Sequence, residues 1–67
     1  MELYEYLFKF VNVVDIYGRH YDNWYCDDHG FPDDNDNGEE SIGIVPNAKA
    51  KSGVDLSISE IKSIELV

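Results

Sequence analysis

The sequence contains a single cysteine, Cys26, so no disulfide can close within the chain. The simplest expectation is a reducing, cytoplasmic setting. Basic residues are scarce: five Lys and Arg stand against fourteen Asp and Glu, for a formal net charge of -9. That balance repels nucleic-acid phosphates and anionic lipid surfaces, which argues against direct binding to either. No apolar block reaches the length of a membrane span, and the opening MELYEYLFKF carries glutamates where a signal peptide would carry a basic flank. Two prolines and five glycines, with no fixed-period repeat, exclude a low-complexity chain. With 67 residues, a single domain (1–67) is expected, and it would bury only about 60% of its unfolded surface. Five Tyr, three Phe and one Trp are there to compensate, since aromatic side chains bury large areas each.

Hydrophobic period predicts strands. Residues 3–14 (LYEYLFKFVNVV) alternate, with Tyr4, Tyr6, Phe8, Phe10 and Val14 on one face and Leu7, Val11 and Val13 on the other. The first residues can alternatively wind into one short helical turn. A turn follows at DIYGR, where Asp15 can bind backbone amides and Gly18 can take positive φ. Residues 19–26 form the return strand, and the Asp-, Asn- and Gly-rich stretch 27–38 forms a loop. ESIGIV is a third strand stopped by Pro46, VDLSI a fourth, SEI a short turn able to close one 3₁₀ turn, and KSIELV a fifth. The expected core is Phe8, Phe10, Val14, Ile42, Ile44, Leu56, Ile58 and Ile64. Closing five short strands removes exposed edges, so the expected fold is all-β, a small five-stranded, strongly bent barrel.

The stretches VNVVDIYGRHYDNW (11–24) and VDLSISEIKSIELV (54–67) resemble the Sm-like small β-barrel domains of bacteria and their phages. The first is similar to the family's apolar strand, glycine turn and bent second strand, and the second to its final strand pair around a short turn. At the bend, where the family has glycine, this chain has Asn23, which tolerates unusual backbone angles. Where the family's RNA pocket has Ile-Arg-Gly, this chain reads Ile61, Lys62, Ser63. The resemblance thus implies the fold without RNA binding.

Three constellations could carry chemistry. Asp33, Asn35, Asn37 and Gly38 match the first half of a calcium loop, in which alternating oxygens converge on a hard cation. Its closing glutamate is missing, since the twelfth position is Ile44, although Glu39 or Glu40 could substitute in another geometry. His20, Cys26 and His29, with Asp27 and Asp28, contain zinc-ligand types, but no paired spacing brings them together. Cys26 with a histidine and Asp22 or Asp27 has the residue types of a nucleophilic triad, without an oxyanion-hole element. The chain therefore reads as a non-enzyme that requires no cofactor.

Two function classes remain. One is an Sm-like interaction or structural module that pairs a sheet edge with a second copy or another protein. The other is a small acidic inhibitor of the phage type, in which Asp27, Asp28, Asp33, Asp34, Asp36, Glu39 and Glu40 imitate nucleic-acid phosphates and block a basic partner.

Overall fold

In the computed structural model, which describes residues 2–67, β1 (Phe10–Asp15), β2 (His20–Gly30), β3 (Ser41–Val45), β4 (Val54–Ser57) and β5 (Ile61–Leu66) form one sheet. The strand order is β4-β3-β2-β1-β5, and every neighbouring pair is antiparallel. The fold is all-β, with 3₁₀ turns at Leu3–Tyr6, Pro32–Asp34 and Ile58–Glu60. Among the described residues no helix is long and apolar enough to cross a membrane.

The N-terminus takes the short helical alternative. Leu3–Tyr6 winds into a 3₁₀ turn, the Leu7 and Lys9 amides bond the Tyr4 and Tyr6 carbonyls, and Phe8 reverses the chain at φ 65°. This interruption resets the alternation. The core face of β1 is therefore Val11, Val13 and Asp15, while Phe8 and Phe10 are 66% and 44% exposed. The expected inward positions of Phe8, Phe10 and Val14 are thus corrected: a strand starting at Phe10, not Leu3, points its odd residues inward. Phe10 instead packs its ring against Tyr25, with centroids 5.1 Å apart.

Asp15 sits at a core position and is only 1% exposed, yet it is fully used. Its carboxylate accepts the Tyr17 and Arg19 amides and the Tyr21 hydroxyl, which closes the hairpin around Gly18 at φ 85°. Burial alone would raise its pKa, but those bonds, led by the Arg19 amide, outweigh it and hold the carboxyl below the ordinary range.

The second strand runs farther than the residue types suggest, through Asp27, Asp28 and His29 to Gly30. Its first half pairs with β1 and its second half with β3, and the register to β1 shifts between Val11 and Val13, opposite Asp22 and Asn23. At this irregularity Asn23 takes φ 58°, and its amide bonds Asn12 Oδ1 at 2.8 Å. Ile42, Ile44 and Leu56 are buried as the alternation predicts, together with Leu3, Tyr21, Cys26 and Ile61; Ile58 and Ile64 pack against them only partly buried.

The sheet does not close into a barrel. It ends at β4 and β5, and among the described residues no ladder joins them. Between them Ile58–Glu60 winds into a 3₁₀ turn whose Glu60 carboxylate caps the Ser57 amide, while the Glu60 carbonyl accepts the Ile16 amide. One backbone group of β4 is thereby occupied by a side chain instead of a strand.

Candidate functional site

The acidic run does not form one loop. Asp27 and Asp28 belong to β2, Asp33 and Asp34 to the 3₁₀ turn, and Asp36 to the connection that follows. A register shift between Cys26 and Asp28 sets both aspartates beside Gly43 of β3, and Asp55 of β4 is paired with Gly43 from the other side. A Cβ on Gly43 would meet Asp55 Oδ1 at 3.1 Å, Asp28 Cβ at 3.2 Å and Asp27 Oδ1 at 3.5 Å. The missing side chain lets the carboxylates of Asp27 and Asp55 and the Cβ of Asp28 approach one spot. Asp55 was not legible as a member of this patch, because only the strand register brings it there.

The half calcium motif is committed to internal bonds. Asn35 Nδ2 donates to the Glu39 carbonyl at 2.6 Å and to Ser41 Oγ at 3.1 Å. Asn37 Oδ1 accepts the Glu39 amide, and Glu39 Oε1 accepts the Ser59 amide, both at 3.0 Å. These oxygens staple the loop to its own backbone and to the turn before β5. Asp33, Asp34 and Asp36 remain exposed. Among the described residues no group of three or more His, Cys, Asp or Glu side chains is placed to hold a metal ion.

His20, Cys26 and His29 are spread along β2, opposite Val14, Ile44 and Ile42 respectively. Cys26 is fully buried, its Sγ 3.5 Å from the Asp28 carbonyl, and burial pushes its thiol up to about 11. A thiol so hard to ionise is a poor nucleophile and a poor metal ligand. His29 lies under the N-terminal turn, in edge contact with Tyr4 and Phe31. Its Nε2 is 2.6 Å from Glu40 Oε2, which also accepts the Leu3 amide at 3.0 Å. Burial would raise the Glu40 pKa, but the His29 and Leu3 bonds outweigh it and hold it low. The His29 Nδ1 is buried and has no hydrogen-bond partner among the described residues. Glu40 thus fastens the terminal turn to the sheet, a role the charge pattern did not reveal.

The remaining feature is backbone. The Val67 amide bonds the Phe10 carbonyl, so by antiparallel alternation Glu65 and Ser63 also face β1, and the N–H and C=O groups of Ile64 and Leu66 face outward. At the opposite edge the Ile58 amide bonds the Glu40 carbonyl, which turns Asp55 and Ser57 outward. There the Ser57 amide is already bonded by Glu60. Beside the β5 edge, Phe10, Leu66 and Val67 expose an apolar strip flanked by Lys9 and Asn23.

No family model, no curated protein and no solved structure matches this chain.

Proposed function

We propose that this chain is a non-enzymatic interaction module of the Sm-like type, which joins a protein chain, a second copy or another partner, by strand addition at an open sheet edge. The observation that carries it is the row of outward backbone groups on β5 next to the apolar strip of Phe10, Leu66 and Val67. Unpaired N–H and C=O groups on an edge are a template for another strand, and exposed apolar side chains beside them add burial on pairing. Support for Sm-like kinship comes from the strand order, the positive φ and register irregularity of β2 at Asn23, and the 3₁₀ turn before the last strand. The non-enzymatic reading rests on the buried, weakly acidic Cys26 and on its separation from both histidines along β2. A free thiol also suits a reducing, cytoplasmic setting.

A second reading is favoured by one specific feature, the gathering of Asp27, Asp28 and Asp55 around Gly43, with Asp36 lining the same cleft as Asp28 and Asp55. Such a face would imitate phosphates toward a basic protein. Sedimentation across protein concentrations separates the two. Association that grows with concentration and persists in high salt supports strand addition. A strict monomer that binds basic nucleic-acid-binding proteins, and releases them steeply as salt rises, supports the acidic mimic.

A further inference from the structure

We infer that the occupant of the β5 edge is the β5 of a second copy, paired antiparallel about a twofold axis at Ile64, giving a dimer with one continuous ten-stranded sheet. This deepens, and rests on, the strand-addition reading above. Three observations select it.

The first is the state of the two edges. The β5 edge offers the outward N–H and C=O groups of both Ile64 and Leu66, and the strand is six residues long. The β4 edge is four residues long, presents Asp55, and has its Ser57 amide sealed by Glu60 Oε1 at 3.0 Å. Charge on an edge and an occupied amide both discourage pairing. A head-to-tail chain or ring needs both edges, whereas a twofold dimer needs only β5.

The second is parity. Only residues whose backbone faces outward can exchange hydrogen bonds across a new ladder. With the axis at Ile64, that residue meets its own copy, Leu66 meets Lys62 of the other copy, and Ser63 meets Glu65. Lys62 lies at the register shift between β1 and β5, a local bulge that adds twist. No like charges stand directly opposite in this register. Moving the axis to Glu65 would set two glutamates face to face, which is destabilising.

The third is the distribution of charge. Asp27, Asp28, Asp33, Asp34, Asp36, Glu39, Glu40 and Asp55 all lie on the β3–β4 side, in the half of β2 that pairs with β3, the following loop or β4. The β5 side carries Lys62 and Glu65, with Asp22 of β2 close to Glu65 and Lys9 beside the apolar strip, while Lys49 and Lys51 lie in the β3–β4 connection. Pairing through β5 sends the acidic surfaces to the two far ends of the sheet, where a chain of net charge -9 tolerates its own copy best.

The test is sedimentation equilibrium on the parent and four variants, with circular dichroism to score folding separately. The parent is expected at twice the 7.7 kDa chain mass. Ser63 and Glu65 are exposed, so Ser63→Glu leaves the monomer folded while placing like charges opposite each other twice. It should weaken the dimer roughly twofold to thirtyfold, and Ser63→Lys should strengthen it by a similar factor. Leu66→Pro removes an outward amide without touching the ladder to β1 and should give a monomer, while Asp55→Pro at the other edge should leave the dimer intact. A larger assembly dissolved by Asp55→Pro and indifferent to Ser63→Glu would overturn the β5 pairing and leave strand addition standing. A parent that stays monomeric to millimolar concentration would overturn both the dimer and self-joining.

Discussion

The Tyr21 hydroxyl donates a 3.0 Å hydrogen bond to Asp15 Oδ2, tying β1 to β2 across the turn inside the core. Asp15 also holds the Tyr17 and Arg19 amides at 2.9 Å, so one carboxylate organises the turn and closes the sheet beneath it. The sign of its contribution follows from its depressed pKa. Stability from Asp15 is fully present above the unfolded carboxyl value of about 3.9 and is lost as pH falls through the lower folded value. Glu40 acts in the same direction, through His29 and the Leu3 amide. Melting temperature should therefore drop steeply below about pH 4. Asp15→Asn should melt lower at neutral pH and show a shallower acid limb. An unchanged acid limb would mean that Asp15 titrates alike in both states.

The buried face of β3 and the outer face of β1 give opposite expectations for removing a large apolar side chain. Ile44→Ala, in the fully buried core, should cost about 2–5 kcal/mol in urea unfolding. Phe10→Ala should cost only about 0.5–1.5 kcal/mol, the worth of its ring contact with Tyr25 on the outer face. The reverse order would contradict the outward assignment of Phe10.

Asn23 holds positive φ where any β-branched residue would be strained. Asn23→Gly should keep the stability of the parent, and Asn23→Val should lose about 1–3 kcal/mol. Equal stability of the two variants would contradict the positive φ at Asn23.

Much of this architecture was legible beforehand. Asp15 as a binder of amides and Gly18 at positive φ follow from turn chemistry, and the burial of Ile42, Ile44 and Leu56 follows from alternation. Asn23 was recognisable as a position of unusual backbone angles because it stands where the resembling family places glycine. The facing of β1 was not legible, because Phe8 reverses the chain and a break of that kind leaves apolar residues at both parities. The extent of β2 was hidden for a different reason: Asp27 and Asp28 suit loops by propensity, but pairing with β3 overrides that preference. The grouping of Asp55 with Asp27 and Asp28, and of Glu40 with His29 and Leu3, depends on strand register, which no short motif encodes.

The acidic connection is expected to be structural in its asparagines and solvated in its aspartates. Millimolar calcium should leave the melting temperature unchanged, since Asn37 Oδ1 and Glu39 Oε1 already accept backbone amides. Replacing Asp33, Asp34 and Asp36 by Asn should leave the chain as stable as the parent or slightly more so, by easing like-charge repulsion. A rise of many degrees with calcium, abolished by Asp33→Asn, would restore the cation site.

Amide hydrogen exchange read residue by residue, at rising protein concentration, tests strand addition at β5 most directly. An outward edge amide exchanges freely until another strand covers it. The Ile64 and Leu66 amides should slow markedly as concentration rises, while the Asp55 amide on β4 continues to exchange at its dilute rate. Ile64 and Leu66 exchanging at the same fast rate from micromolar to millimolar protein would contradict self-joining at this edge.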